Sequence, residues 1–207
     1  MDAYEFTNAW FKEEHKALWA QLFGMLKPAR LLEIGSFEGA SACFAIEAVG
    51  AQRPVELHCI DSWQGSAEGP FATIDMGAVE ARFHANVARA RAKAAHEVAL
   101  HVHKGRSDDE LARLLLSGAR GRFDFVYVDA SHQAPDALSD AVLAFKLLRP
   151  GAVMIFDDYL WAEEMPYGRD PLLCPKPGID AFVNLHFRKL KVLSAPLEQL
   201  YVRKLTD

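Results

Sequence analysis

Three shortages in the sequence exclude several classes of protein. Three cysteines occur among 207 residues, Cys43, Cys59 and Cys174, and none has CxxC or zinc-finger spacing, so neither a disulfide framework nor a cysteine-bound metal is predicted. The formal net charge of −5 leaves no basic excess, and hence no electrostatic footprint for nucleic acid or an acidic membrane. The apolar runs are strand-length and interrupted by charge, so no membrane-spanning segment is predicted.

The composition is otherwise that of a globular chain with one large core. Hydrophobic residues make up 51% and charged residues 25%, so we expect one domain over residues 1–207, with a helical cover at 1–28 and a core at 29–207. The first residues lack the basic and apolar regions of a signal peptide. An odd number of cysteines favours reduced thiols, and a cytoplasmic location without nucleic-acid or membrane partners is the default expectation.

Two apolar runs end abruptly in polar residues. Residues 123–128 are followed by Asp129 and, three residues later, by His132. Residues 152–156 are followed by the pair Asp157-Asp158. Both runs are typical of buried strands, so we expect three carboxylates and one imidazole at one edge of a sheet. This edge is the first candidate for an active site.

A strand, a glycine turn and a helix are predicted in immediate succession near residue 35. Residues 30–34 form the predicted strand, Gly35 and Gly39 have G-x-x-x-G spacing, and an apolar helix is predicted through Val49. This succession begins a nucleotide-type α/β fold, in which backbone N–H groups at a helix N-terminus face the ligand. The glycine pattern alone is weak evidence, because Phe37 replaces the middle glycine of the dinucleotide fingerprint.

The second predicted strand, residues 55–60, ends in Asp61. An acidic residue about twenty positions beyond the glycine loop is placed to hydrogen-bond a ribose diol. The alternative is that Asp61 caps a turn with Ser62.

Three further segments could contact a ligand. Residues 62–77 are rich in glycine and aromatic residues, and residues 159–176 contain several prolines. Both are too long for simple connectors, so we expect a lid or substrate wall in each. Residues 8–27 have apolar side chains at helical spacing and are predicted to form one or two helices that stop before Pro28. This stripe favours packing, although it could also cover a cleft.

The third predicted strand and the helix after it have simple structural interpretations. Alternation over residues 98–103 puts His101 and His103 on one side, but a metal would need more ligands and none is evident in the sequence, so packing or surface roles are favoured. Ser107 and Glu110 form a capping box that predicts Ser107 as a helix N-cap. Ser107 lies at the same sheet edge as Asp61 and could also contact a bound base.

The C-terminal part completes the predicted sheet. A helix over residues 136–148, ended by Pro150-Gly151, joins the two strands that end in aspartate and makes a βαβ unit. A helix is predicted over 178–187, and two closing strands over 189–193 and 199–203. The predicted fold class is α/β, with a mostly parallel seven-stranded sheet, helices on both faces and an antiparallel C-terminal strand pair.

These motifs together resemble a known family. The stretch LEIGSFEGAS over residues 32–41, followed by Asp61, Asp129 and Asp157-Asp158 at later strand ends, resembles the class I S-adenosylmethionine-dependent O-methyltransferases, which have a Rossmann-like fold. An aromatic residue in place of the middle glycine is similar to the metal-dependent catechol and caffeoyl-CoA type enzymes. The stretches VDASH and FDDY look closer still to the macrocin and mycinamicin sugar O-methyltransferases.

The resemblance implies a role for each matched position. The methionine end of S-adenosylmethionine would be held around the glycine loop, the ribose by Asp61, and the adenine near Trp63 and Ser107. The implied cofactor-binding residues are Glu33, Gly35, Ser36, Phe37, Gly39, Ser41, Asp61, Ser62, Trp63, Ser107 and Asp129. A divalent cation, most simply Mg²⁺, would be bound by Asp129, Asp157 and Asp158. The implied catalytic residues are His132, as general base, and Asp129.

Elementary chemistry supports a cation and a base at this edge. A sugar or catechol hydroxyl has a pKa well above neutrality, and a bound cation lowers that pKa and orients the oxygen. A neutral imidazole can take the proton, and three crowded carboxylates without a cation would raise one another's pKa. Two alternatives stay open: Asp157-Asp158 could cap the turn into Tyr159, and His132 could cap the following helix.

The expected function is O-methylation of a small hydroxylated acceptor, such as a natural-product or glycolipid sugar, by a magnesium-dependent enzyme that could form a homodimer. An NAD(P)-dependent oxidoreductase is disfavoured, because the middle glycine and a Tyr-x-x-x-Lys pair are missing. A non-catalytic cofactor-binding protein of the same fold is disfavoured by the intact acidic residues and His132.

Overall fold

The computed structural model describes residues 3–65 and 73–207. The helices and strands follow one another along the chain as α1 (Glu13–Leu26), β1 (Arg30–Ile34), α2 (Ala40–Gly50), β2 (Val55–Asp61), α3 (Met76–Lys93), β3 (Val98–Lys104), α4 (Ser107–Leu116), β4 (Phe123–Val128), α5 (Ala134–Leu147), β5 (Leu148–Phe156), α6 (Lys176–Leu185), β6 (Leu190–Leu193) and β7 (Leu200–Lys204).

The seven strands form one sheet in the order β3-β2-β1-β4-β5-β7-β6. Strands β1 to β5 pair in parallel, whereas β7 is antiparallel to both β5 and β6. The predicted α/β fold class is therefore confirmed. The strand order reverses between β1 and β4, and such a switch point leaves a crevice at the carboxyl ends of the strands.

The two faces of the sheet bury different side chains. Because successive residues of a strand point to opposite faces, Leu31 joins the hydrophobic core beneath α1, α2 and α3, whereas Leu32 joins the core beneath α4, α5 and α6. Burial on both faces explains why the central strands β1 and β4 and the end of β5 are nearly continuous apolar runs.

Helix α1 is anchored by Trp19, which is 1% exposed. Its ring makes edge contacts with Phe125 and Tyr127 of β4, with ring centroids 4.9 and 4.7 Å apart. The indole Nε1 donates to Gln199 Oε1 at 3.2 Å. The apolar stripe of α1 therefore packs on the sheet, as the spacing predicted.

The helix predicted from Asn8 begins only at Glu13, so the prediction is wrong for residues 8–12. The preceding segment is held by long-range bonds to side chains: Thr7 donates from its backbone N to Glu38 Oε2 at 2.7 Å, and Glu5 donates likewise to Asn86 Oδ1 at 2.9 Å. These partners lie far along the chain, so a local periodicity could not reveal them.

The predicted capping box at Ser107 is also wrong. Arg106 is the N-cap of α4, no side chain caps the helix, and Ser107 is already its first residue. Glu110 instead pairs with Arg113. The chain therefore enters the helix one residue earlier than expected, and the Ser107 side chain lines the cleft.

Smaller differences concern helix ends. Helix α5 ends at Leu147, before Pro150-Gly151, which lie within β5, and α6 begins at Lys176. His132 does not cap α5, because Gln133 is its N-cap and no side chain caps it. The predicted lid at residues 62–77 lies in part outside the described residues. Within the described part of the chain, no helix has the length and apolar character needed to span a bilayer.

Candidate active site

The carboxyl ends of the parallel strands open into a cleft of about 830 Å³. The segments after β1, β2, β3, β4 and β5 all contribute to its walls. Of the predicted site residues, those that line the cleft are Gly35, Ser36, Phe37, Ser41, Asp61, Ser62, Ser107, Asp129, His132, Asp157 and Asp158.

Gly35 lies where the loop after β1 crosses the end of β4. Its φ is +84°, and a Cβ at this position would lie 1.9 Å from the carbonyl oxygen of Asp129. No other residue fits there without moving the backbone. The first glycine of the loop therefore sets the close approach of β1 and β4 and the floor of the cleft.

Asp61 organises the loop after β1. Its Oδ2 accepts from the backbone N of Ser36 at 2.8 Å and of Phe37 at 2.9 Å, and its Oδ1 accepts from Trp63 N at 2.8 Å. The bond from Trp63 N closes a turn over Ser62, so Asp61 also has the turn-capping role that the sequence allowed as an alternative. An ionised carboxylate offers about four lone pairs, so one acceptor site remains for a ligand hydroxyl.

Glu33 lies beneath the loop and does not line the cleft. Its carboxylate accepts from the hydroxyls of Ser36, at 2.6 Å, and of Ser41. Burial raises the pKa of Glu33 to about 7, and both serine hydroxyls partly offset this effect. Glu33 can thus act on a ligand through Ser36 and Ser41, which do line the cleft.

Two other predicted cofactor residues also face the interior of the protein. Trp63 donates from Nε1 to Phe37 O at 3.0 Å and packs on Phe83. Gly39 lies against the same phenylalanine ring. Trp63 is only 6% exposed and does not line the cleft, so its indole supports the loop from behind.

The cleft also contains a buried carboxyl group that the sequence did not reveal. Asp140 of α5 is 1% exposed and lines the cleft together with Ser107 and Ser139. Burial raises the pKa of Asp140 to about 7, and the nearby Ser107 side chain partly offsets the rise. The only sequence signal for it was an acidic residue on the buried face of α5.

The three aspartates predicted at the ends of β4 and β5 lie together. The Tyr127 hydroxyl is 3.0 Å from Asp129 Oδ2 and also bonds Asp157, whereas Asp158 N donates to Asp157 Oδ1 at 3.0 Å. Burial raises the pKa of Asp129 well above its usual range, and the charges of Asp157 and Asp158 raise it further. Burial likewise raises the pKa of Asp157, with Asp158 adding to the effect.

His132 joins this cluster. Its Nε2 lies 3.0 Å from Asp158 Oδ2, and its ring packs on Trp161 with centroids 4.2 Å apart. Asp129, His132 and Asp158 each offer one ligand atom within 4.8 Å of the other two. The closest potential ligand set thus contains the imidazole, whereas Asp157 is turned toward Tyr127.

The segment before α1 and the first turn of α1 form one wall of the cleft. Trp10 packs on Phe37 with ring centroids 5.0 Å apart, and His15 Nε2 lies 3.3 Å from Glu198 Oε2. All four of these residues line the cleft. The sequence indicated a possible cover here, but not His15 or Glu198, which come together from opposite ends of the chain.

A known family matches more than half of the chain. The sequence profile of a family described as "Methyltransferase domain" matches residues 32–159, which span the first five strands of the sheet. A comparison with curated protein sequences gave no significant match.

Solved structures share the fold across nearly the whole chain. An O-methyltransferase from Bacillus cereus, in complex with S-adenosylhomocysteine, is 20% identical with a TM-score of 0.66, covering 98% of this chain and 84% of that one. The O-methyltransferase TomG from Streptomyces achromogenes, involved in tomaymycin synthesis and in complex with S-adenosylmethionine, is 23% identical with a TM-score of 0.65, covering 95% and 81%. The Podospora anserina methyltransferase PaMTH1, bound to S-adenosylhomocysteine, is 18% identical with a TM-score of 0.63, covering 97% and 82%.

Proposed function

The chain belongs to this methyltransferase domain family, and from that premise we propose that it transfers a methyl group from S-adenosylmethionine to a hydroxyl oxygen of a small acceptor. The observation that carries the proposal is that one cleft joins Asp61, which has a free acceptor site, to the cluster of Asp129, His132 and Asp158. The acceptor site on Asp61 suits a ribose hydroxyl. The acidic cluster with His132 suits removal of a proton from the acceptor hydroxyl. A hydride-transferring oxidoreductase needs no such cluster.

The loop after β1 and the start of α4 form the cofactor-binding half of the cleft. The N-terminus of α2 favours the methionine carboxylate, because its first N–H groups lack intrahelical partners. Ser36 and Ser41 can bind the polar methionine end, held in place from below by Glu33. Asp61 would accept from a ribose hydroxyl. Ser107 and Asp140 are the polar groups placed to contact adenine.

The acidic cluster fits a hard divalent cation. Asp129, Asp157 and Asp158 supply oxygen ligands. Repulsion between their charges contributes to the raised pKa values of Asp129 and Asp157, and a bound cation would offset that repulsion. Asp129 and Asp158 would hold Mg²⁺, with Asp157 beside them. Such a cation would lower the pKa of the acceptor hydroxyl.

His132 is placed to accept the acceptor's proton. When its Nε2–H donates to Asp158 Oδ2, Nδ1 carries the lone pair and the carboxylate stabilises the imidazolium that forms. S-adenosylmethionine supplies an electrophilic methyl group when bound. On transfer of that methyl group from the sulfur to the acceptor oxygen, His132 would take the hydroxyl proton.

The acceptor is proposed to be a small hydroxylated molecule such as a sugar of a natural product or glycolipid. The VDASH and FDDY stretches, around Asp129 and Asp158, resemble the macrocin-type sugar O-methyltransferases. TomG, which shares the fold, is involved in the synthesis of a natural product. Trp10, Phe37 and Trp161 add aromatic surfaces to the cleft on which a ring could stack.

Calorimetric titration with S-adenosylhomocysteine tests the cofactor assignment. We expect binding to the wild type and at least about tenfold weaker binding to Asp61→Ala, with Asp170→Ala, an exposed position in a loop, as the control. Absence of binding to the wild type would contradict the proposal. A screen of hydroxylated acceptors should then find methyl transfer that His132→Ala lowers by about 10²- to 10⁴-fold without weakening cofactor binding.

A further inference from the structure

A second cluster of metal-ligand side chains lies on the outer strands of the sheet. The parallel register pairs His58 of β2 with His101 of β3, and Ile60 with His103. Paired residues of neighbouring strands point to the same face, and Glu56 precedes His58 by two residues. One acidic and three imidazole side chains therefore share one face at the sheet edge, far from the acidic ends of β4 and β5.

The three nearest ligand atoms converge. Glu56 Oε1 lies 3.1 Å from His58 Nε2 and 3.7 Å from His101 Nε2, and all three ligand atoms are within 4.8 Å of one another. Tetrahedral Zn²⁺ with bonds of about 2.0–2.2 Å needs ligand atoms about 3.3–3.5 Å apart. We propose that Glu56, His58 and His101 bind a transition-metal cation, with Zn²⁺ as the best-fitting ion.

The neighbours of the site orient its ligands. His103 Nε2 lies 2.9 Å from His58 Nδ1, so the tautomer that donates from Nδ1 leaves the lone pair of His58 on Nε2, toward Glu56. Arg30 Nε donates to Glu56 Oε2 at 2.6 Å and leaves Oε1 toward the imidazoles. Hydrogen bonds of this kind fix the tautomer and orientation of metal ligands in known sites.

The site is open to solvent on one side. The side chain of His101 is 48% exposed and that of Glu56 33%, whereas His58 is 13% exposed and packs edge-on against Phe123. A cation can therefore enter directly, and two histidines and one carboxylate leave a fourth position for water or a further ligand. Bound there, the cation would cross-link β2 to the edge strand β3.

The cluster is separate from the proposed active site. Among the described residues, those that line the cleft do not include Glu56, His58, His101 or His103. The donor sets also differ in chemistry. Imidazole nitrogens favour zinc and its neighbours in the first transition row, whereas the carboxylates at the ends of β4 and β5 favour magnesium.

Zinc titration of the EDTA-treated, dialysed full-length protein tests the proposal. We expect one Zn²⁺ equivalent whose affinity falls by at least about a hundredfold in His101→Ala, and by about 10- to 100-fold in His103→Ala, which removes only an orienting partner. His96→Ala is the matched control, because His96 is exposed just before β3. Co²⁺ should give the intense visible bands of a tetrahedral complex in the wild type and lose them in His101→Ala.

Two further measurements make the outcome decisive. Far-ultraviolet circular dichroism of each apo variant checks folding, and the exposed position of His101 makes its loss the least disruptive. The Asp158→Asn variant shows whether the Zn²⁺ ion binds in the cleft instead. If Zn²⁺ binding were lost in Asp158→Asn but kept in His101→Ala, the proposal would be overturned. It would also be overturned if wild type bound no zinc, or if His96→Ala and His101→Ala weakened binding equally.

Discussion

Gly35 shows how one residue can determine the geometry of the cleft. Both a positive φ and the proximity of the Asp129 carbonyl oxygen exclude a side chain there. The same loop also places the amides that Asp61 binds, so a shift of the backbone at Gly35 would disturb the proposed ribose site and the floor of the cleft together.

Gly35→Ala is therefore expected to lower the free energy of unfolding by about 3 kcal/mol or more, since strain in the left-handed region and a backbone clash add together. Gly118→Ala is a matched control, because Gly118 has a φ of +86° but no other atom lies within 4 Å of the place its added methyl group would take. That variant should lose only about 1–2 kcal/mol. Urea denaturation measures both, and equal losses would contradict the role of the clash.

Asp140 should make stability depend on pH. Burial raises its pKa to about 7, so the folded protein holds a proton that the unfolded chain, with a pKa near 3.8, releases. The associated stability is present at low pH and is lost as the pH rises from about 4 to about 7. Asp140→Asn has no carboxyl group at this position and should not lose this stability as the pH rises. The free energy of unfolding of the variant minus that of wild type should therefore increase by a few kcal/mol between pH 5 and pH 8.

Urea denaturation of wild type and Asp140→Asn at pH 5 and pH 8 measures how Asp140 changes the free energy of unfolding. Asp109→Asn, an exposed position on α4, controls for the change of carboxylate to amide. A difference between wild type and Asp140→Asn that stays constant from pH 5 to pH 8 would show that Asp140 does not carry the pH dependence.

At the scale of elements, the segment before α1 has a conformation that depends on distant partners. Glu38 is 2% exposed, and its carboxylate accepts from the hydroxyl and backbone N of Thr7 and from Arg82 Nε. Together with Asn86, which accepts from Glu5 N, this buried side chain therefore holds residues 3–12 against the loop after β1, where they form a wall of the cleft.

Glu38→Gln should loosen this segment, because the amide keeps the size of the side chain but loses its charge and one acceptor oxygen. The expected loss of stability is about 1–3 kcal/mol, with faster proteolytic cleavage within residues 3–12. Glu13→Gln, exposed in the first turn of α1, is the control. Limited proteolysis with mass spectrometry reads the site of cleavage, and unchanged cleavage in Glu38→Gln would contradict the tether.

The helices and strands themselves were largely predictable. The central strands β1 and β4 and the last five residues of β5 are largely buried on both faces, so their apolar runs stand out in the sequence. The errors at Asn8 and Ser107 arose where other partners competed with a local signal: Thr7 bonds Glu38, and Glu110 pairs with Arg113 instead of capping the helix. Local patterns contain no information about such partners.

On the scale of the whole molecule, the parallel sheet gathers acidic residues that are distant in sequence. Asp129 and Asp158 come from different strands, yet with His132 they present ligand atoms within 4.8 Å of one another. Concentrating negative charge in a buried place costs stability unless protons or a cation neutralise it. The fold and the proposed metal site are thus energetically linked.

Mg²⁺ is therefore expected to raise the melting temperature of the EDTA-treated protein, and to do so less as the pH falls. Because the pKa values of Asp129 and Asp157 are raised, protons compete with the cation for these carboxylates. Asp158→Asn should abolish the shift, whereas the exposed Asp170→Asn should keep it. Methyl transfer that persisted at its full rate in excess EDTA would rule out a role for the metal in turnover.

The sequence by itself determined the succession of strands and helices, the acidic residues at the strand ends and the family to which the chain belongs. These depend on local periodicity and on short motifs such as the glycine loop. Only the tertiary structure decided which side chains meet. It placed His58 and Glu56 beside His101, turned Trp63 away from the cleft and brought Asp140 into it. The physical reason is that strand register and helix packing join residues far apart in the chain, through contacts that no local pattern encodes.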